Sequence, residues 1–446
     1  MNVLKADLLK GNILKSLLIF ALPLMLANFF QQLYNTVDTV IVGNFLGDDS
    51  LAAIGSTSAV YELLVGFALG VGNGMSIVAA RFFGMGDRER LKQAVAGSIV
   101  IGAFLTIGIM IISAAGLYPL LHLLDTPADI IDEAYSYISF VTMFVGVMFV
   151  YNLCAGMLRA VGDSVTPLAF LIFSSILNIF LDIFFIKYVQ MGILGAAVAT
   201  VISQGVSAIL CIIFLLKKCR MLIPERRHFK SEAWIYKELA GQGFSMGFMM
   251  CIVSLGTVIL QYSVNGLGKL IIAGHTAARK LSYFCMMPPN TLGLAFSTFV
   301  SQNYGAGNRE RIRKGIKTVN LLSLGYAVVI TAFIWLTAPV IIKLISGSSE
   351  PEVINNGALY IRMNVPFYPI VGVVFNLRNT LQGLGRKIIP LVASVLECLG
   401  KIIFVALLNP VMGYWGVIIC EPVIWAVMAA QLAFAVKRDP YMRKKE

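Results

Sequence analysis

The sequence predicts an all-α polytopic membrane protein of twelve transmembrane helices, arranged as two six-helix lobes related by a parallel internal repeat. Three observations lead there. Hydrophobic residues make up 58% of the 446 positions and charged residues only 13%, with a mean hydropathy of +0.83, the composition of a chain whose main solvent is lipid. Apolar runs long enough to cross about 30 Å of hydrocarbon recur from end to end. Three motifs of the first half return, in the same order, in the second.

Taken in order, residues 1–15 carry Lys5, Lys10 and Lys15, lack a small-residue cleavage site and read as a short interfacial helix before the first span. Spans are expected near 16–43, 51–79, 93–118, 133–158, 165–186, 192–216, 240–264, 272–300, 316–345, 355–381, 388–408 and 413–436. The longest polar connection is too short for a soluble domain, so the chain divides into a lobe at 1–218, a basic cytoplasmic linker at 219–239 and a second lobe at 240–446. Lys and Arg set the orientation. With both termini cytoplasmic, the segments on that side hold 28 of the 35 basic residues, those from Arg378 to Lys387 among them. The +12 charge is then a mark of membrane topology rather than of a nucleic-acid partner. Seven cysteines without a Cys-x-x-Cys pattern read as buried or lipid-facing thiols, and His122, His228 and His275 lie too far apart in sequence to suggest zinc.

The repeat is explicit. ARFFGMGDRERLKQAV (80–95) returns as SQNYGAGNRERIRKGI (301–316), LRAVGDSVTPL (158–168) as LQGLGRKIIPL (381–391), and GILGAAVAT (192–200) as GYWGVIICE (413–421), at spacings of 221, 223 and 221. An even number of spans per copy inserts both the same way up, an arrangement found among secondary transporters whose bundles open to alternate sides.

Ionised side chains inside hydrocarbon are costly unless paired, protonated or wet, so each one points to function. The first half has Asp38, Glu62 and Asp182. Asn178 and Asp182 are one helical turn apart and face the same way. Counting about 1.5 Å per residue from the outer ends of their spans puts Asp38, Asp182, Thr200 and Tyr137 about 6 to 12 Å deep. Two carboxylates, an amide, a hydroxyl and a phenol suit a small hard cation. Two such carboxylates do not both stay ionised cheaply without a cation, so the same set serves Na⁺ or a proton. The alternative is a structural polar network that holds the half-bundle together. Glu62, some eleven residues into the second span, is a candidate contact for a cationic substrate, or else a protonated structural acid.

The first span, LPLMLANFFQQLYNTVDTVIVGNFLG (22–47), together with the ARFFGMGDRER, LRAVGDSVTPL, NIFLDIFFI and GILGAAVAT stretches in that order, resembles the multidrug and toxic compound extrusion (MATE) family over essentially the whole chain. The resemblance implies export of amphipathic, often cationic drugs or organic cations, driven by inward flow of Na⁺ or H⁺, with no other cofactor. It implies a cation site formed by Asp38, Asn178, Asp182, Thr200 and Tyr137, with Asp38, Asn178, Asp182 and Thr200 as the Na⁺ ligands if Na⁺ is the ion, and a hinge or static kink at Pro23. The location expected is a bacterial inner membrane, the partners are the bilayer and small molecules, and the chain is expected to act as a monomer.

The repeat spacings carry Asp38 to Ile259, Asn178 to Lys401, Asp182 to Val405 and Thr200 to Glu421. Both site aspartates have become aliphatic, while Glu397 stands one turn before Lys401. Arg279, Lys280 and Glu421 are expected at similar depth, forming with Glu397 and Lys401 a second-half charge cluster. That half reads as a filled version of the ion site, with Lys401 standing where a mobile cation binds in the first. The alternative is that Glu397 or Glu421 titrates during transport. Among other functions, a lipid-linked oligosaccharide flippase of the same superfamily would line its cleft with basic groups, whereas Asp38, Glu62 and Asp182 are acids. An intramembrane enzyme such as a prenyl transferase would need closely spaced acids near the cytoplasmic face, and neither these nor a His-Glu-x-x-His motif is present, so no enzymatic activity is expected.

Overall fold

The computed structural model describes residues 6–124 and 126–443, and every regular element among them is helical. Twelve helices follow one another: α1 (Ile13–Leu46), α2 (Asp48–Gly84), α3 (Arg88–Leu123), α4 (Ile131–Met143 and Val145–Ala160), α5 (Val165–Tyr188) and α6 (Ile193–Lys218), then α7 (Ala233–Asn265), α8 (Lys269–Gly305), α9 (Arg309–Ser346), α10 (Pro351–Gly383), α11 (Ile388–Met412) and α12 (Tyr414–Arg438). Ten are individually long and apolar enough to cross a bilayer, and α4 joins them when its two segments, bent by 48°, are taken as one span. Helix α8 is more polar, with His275, Arg279, Lys280 and the Pro288–Pro289 pair along its 37 residues. The chain is a multi-pass membrane protein.

The start of the chain corrects one expectation. Residues 6–12 form bends rather than a helix, and α1 begins only at Ile13; residues 1–5 lie outside the described residues. The backbone of this stretch is used as an acceptor: Arg311 donates to the carbonyls of Leu8 (3.1 Å), Lys10 (2.8 Å) and Gly11 (2.7 Å), and Asn303 donates to that of Leu8 (3.0 Å).

Two compact units result, one built mainly of Ile19–Cys251 and the other of Leu8–Leu18 with Ile252–Glu446. In the first, the early part of α7 lies against α2 with backbones in contact. A Cβ on Gly70 would come within 2.8 Å of Gly247 Cα, and one on Gly247 within 2.7 Å of the Phe67 ring. Glycines spaced by four on each helix make this close approach available. The core of this unit gathers Met75, Phe149, Met157, Leu158 and Leu239. Its linker, with 3₁₀ turns at Arg220–Leu222 and Arg226–Phe229, is strapped to α3: His228 Nε2 lies 3.0 Å from Glu89, Arg227 3.1 Å from the same carboxylate, and Lys92 2.9 Å from Glu225. The Lys92 hydrogen bond, helped by the charge of Arg227, holds the Glu225 carboxyl below the usual range. In the second unit Ala277, Ile334, Tyr360, Ile361, Leu381 and Val417 form the buried centre.

The repeat is visible in the backbone as well as in the letters. Gly86 and Gly307 end their helices at φ of 74° and 72°, Gly162 and Gly385 at 89° and 75°, and Gly192 and Gly413 open theirs at 60° and 55°. Gly162 could not be replaced by a larger residue, because its left-handed turn brings the Ala6 carbonyl within 2.6 Å of where a Cβ would stand. A π-turn also interrupts α5 at Phe184–Tyr188 and α11 at Phe404–Leu408.

Candidate functional site

In the first unit, α1, α4, α5 and α6 bring the five residues of the expected set together. Asn178 and Asp182 sit on the inward face of α5, fully buried, while Asp38 on α1 and Thr200 on α6 are each 9% exposed. The Asp38 and Asp182 carboxyls face each other closely enough for each to feel the other's charge. Two bare carboxylates so placed repel, so the pair favours a proton or a cation between them. Asp38 Oδ1 and Asp182 Oδ1 are buried and make no hydrogen bond among the described residues.

The amide of Asn178, oriented by its neighbours, donates to Asp182 Oδ2 at 2.6 Å and accepts from the Thr200 backbone N–H at 3.2 Å. It therefore acts here as a strut between α5 and α6. The Thr200 hydroxyl is 2.9 Å from the Tyr34 hydroxyl. Tyr137 is half-buried and close enough to both carboxyls to feel their charge, and Tyr61 is close to Asp38.

Tyr34 and Tyr61 were not in the expected set. Tyr34 had a signal: it lies four residues before Asp38, on the same face of α1. Glu62, by contrast, is exposed at the start of the π-turn Glu62–Gly66 in α2, while its neighbour Tyr61 turns toward Asp38. Pro23 lies inside α1, which continues through it.

The residues fit a small cation or a proton. Two orphaned carboxyl oxygens and the hydroxyls of Thr200 and Tyr34 are hard oxygen donors within one buried cluster. Among the described residues no three His, Cys, Asp or Glu side chains gather as a metal-binding group, so any ion here is held by two acids and neutral oxygens.

The matching region of the second unit is a closed ion-pair network. Lys401 on α11 donates to Glu397 at 3.0 Å and lies 3.9 Å from Glu421 on α12. Arg279 on α8 donates to Glu421 Oε1 at 2.6 Å, and the Tyr360 hydroxyl on α10 donates to Oε2 at 2.9 Å. Gly256 on α7 makes room for the lysine, since a Cβ there would stand 3.1 Å from Lys401 Cδ.

Two expectations are corrected. Lys280 is not part of the cluster: it is exposed and takes no part in these contacts, because one residue's advance along α8 turns it away from the face that Arg279 occupies. Arg378, counted with a cytoplasmic loop, is instead buried within α10, 3.6 Å from Glu397. Tyr360 was missed although the repeat pointed to it, since it stands 223 residues after Tyr137.

A sequence model of the MatE family matches residues 23–184 and again 246–407. The probable multidrug resistance protein YpnP of Bacillus subtilis (strain 168) is 30% identical over 398 residues, covering 88% of this chain and 87% of that protein. The probable multidrug resistance protein NorM of Thermotoga maritima is 24% identical, over 86% of this chain and 82% of its own length. Among solved structures, an outward-facing multidrug resistance MATE family transporter of the MOP superfamily aligns over 100% of both chains with a TM-score of 0.90 at 23% identity, a likeness of fold.

Proposed function

The chain belongs to the multidrug and toxic compound extrusion family, and on that premise we propose that it exports amphipathic, often cationic compounds across a bacterial inner membrane by antiport with Na⁺ or H⁺. It does so as a monomer with both termini cytoplasmic, the halves 1–218 and 240–446 acting as lobes about the linker 219–239. The observation that carries the coupling step is the buried Asp38–Asp182 pair. Neither carboxyl has a cationic partner among the ion pairs of the described residues, so the pair is neutralised by what it binds.

Loaded with a proton, the two acids join α1 to α5 through their shared hydrogen bond. Losing it, they repel and demand a replacement charge. Na⁺ is accommodated at the same point by Asp38 Oδ1, Asp182 Oδ1 and the Thr200 hydroxyl, with Asn178 turning its oxygen inward and Tyr137 lining the site. Pro23, which removes a backbone hydrogen bond from α1, is where that helix bends when the pair changes state. Glu62 offers an exposed carboxylate on α2 to a cationic substrate.

The second half is a resident-cation version of the same site. Arg279, Arg378 and Lys401 hold Glu397 and Glu421 in ion pairs, so that half does not exchange an ion during the cycle. The multidrug names of the relatives and the acids of the first half support drug export over oligosaccharide flipping.

The test is efflux of a cationic dye from proteoliposomes under Na⁺ and pH gradients imposed separately. Acceleration by at least one inward gradient, lost in Asp182→Asn, is expected. Efflux indifferent to both gradients overturns the reading.

A further inference from the structure

A cavity of about 570 Å³ lies in the first unit between α3, α4 and α6, with the linker residues Leu222, Ile223 and Pro224 as its end wall. Its lining is hydrocarbon except for Thr106 and Cys154, and the Thr106 hydroxyl is already committed to the carbonyls of Gly102 (2.9 Å) and Ala103 (3.1 Å). Nothing in it recognises a polar cargo. Small residues create the depression: Gly102 lets the Phe149 ring lie directly on α3, and Gly146 faces Thr106. Ile99, Val150, Ile212 and Leu216 on its rim are exposed, which in a membrane means open to acyl chains. From Val95 to Thr106 it runs eleven residues along α3, about 16 Å, which matches the depth of one leaflet of a bilayer core about 30 Å thick.

The chain emerging at the linker end is strongly basic. Lys217 and Lys218 follow the lining residue Leu216, Arg220 precedes Leu222 by two, and Arg226 follows Pro224 by two. All four are exposed, and none makes an ion pair among the described residues. The nearest acid in sequence, Glu225, is already held by Lys92 at 2.9 Å and Arg227 at 3.0 Å. A cationic amphipath would be repelled at this mouth. An anionic headgroup on a hydrocarbon chain matches both parts of it.

We infer that this crevice is a binding site for one anionic phospholipid, its acyl chain lying between α3, α4 and α6 and its phosphate held by Lys217, Lys218 and Arg220. The lipid completes a wall that the protein leaves open, and it couples the linker to three helices of the first unit.

The experiment is native mass spectrometry of the purified full chain given equal amounts of phosphatidylglycerol and phosphatidylcholine with identical chains. One phosphatidylglycerol should be retained in preference to phosphatidylcholine by at least about fivefold, the size expected for one or more basic contacts at a lipid surface. K217Q/K218Q/R220Q should bring the preference close to parity, and Ala103→Trp, at an exposed position on the crevice wall, should remove the retained lipid. Should the tryptophan variant fail to fold, Val150→Trp with chain-brominated lipids serves instead, its fluorescence being quenched more by brominated phosphatidylglycerol than by brominated phosphatidylcholine. Equal retention of the two lipids, a preference unchanged in the triple glutamine variant, or equal quenching by both brominated lipids overturns the assignment.

Discussion

At matched positions the two halves solve the same problem, buried charge in a membrane span, in opposite ways. In the first, Asp38 and Asp182 face each other, leave one oxygen each without a partner, and are surrounded by neutral groups: Asn178, Thr200, Tyr34. In the second, the asparagine position holds Lys401 and the threonine position Glu421, and guanidinium and ammonium groups lie 2.6 to 3.9 Å from the carboxylates. A fixed cation is part of the covalent chain and cannot leave. An incomplete set of charges must be completed from outside. The same backbone, down to paired left-handed glycines and a π-turn after each site, thus carries a cluster of uncompensated acids in one half and a set of ion pairs in the other, and the difference lies in a handful of side chains.

The strongest way to break this comparison is to remove a carboxylate from the first half. Asp38→Asn or Asp182→Asn should abolish gradient-driven efflux while the protein still purifies as a folded species, and full activity in either would sink the assignment. Next is Glu397→Gln, which leaves buried Lys401 and Arg378 without their shared counter-charge. A buried pair broken on one side costs about 3 to 5 kcal/mol, read as a lowered thermal midpoint, whereas Lys401→Met leaves Glu397 paired with Arg378 and Glu421 with Arg279, so it should be milder and keep the wild-type ion dependence. Loss of ion coupling in the folded Lys401→Met variant would mean that an acid of the second half titrates during transport.

A smaller effect is expected at the bond shared by α1 and α6. Tyr34→Phe or Thr200→Ala removes one hydrogen bond worth about 1 kcal/mol. Thr200→Ala should weaken the response to Na⁺ more than the response to a pH gradient if Na⁺ is the coupling ion, and an equal weakening of both would count against a ligand role.

Smallest is the exposed linker clamp, where both halves should be indifferent. Glu225 has a depressed pKa, so its contribution is present at neutral pH and fades as pH falls through that lowered value. Glu225→Gln should flatten only this acid limb of the thermal midpoint against pH, with dye efflux unchanged.

Sequence alone determined the broad architecture, because hydropathy and motif spacing are one-dimensional properties. Twelve apolar runs, motifs recurring at 221 to 223 residues, and acids where lipid should exclude them are all legible without coordinates. The pairing of Asn178 with Asp182 was legible too, since i and i+4 share a helix face. What the letters could not give was orientation across helices. Whether Arg279 or Lys280 points inward depends on how α8 is rotated against α10 and α12. Arg378, counted among the basic residues of the cytoplasmic side, is seen only in the structure to be buried in α10 with its side chain turned toward Glu397. Tyr34 enters the first site only because α1 and α6 pack at that height, and the bridge that Asn178 makes between α5 and α6 is seen only once the Thr200 N–H is found beside it. Local periodicity fixes which residues share a face, but only packing decides what that face meets.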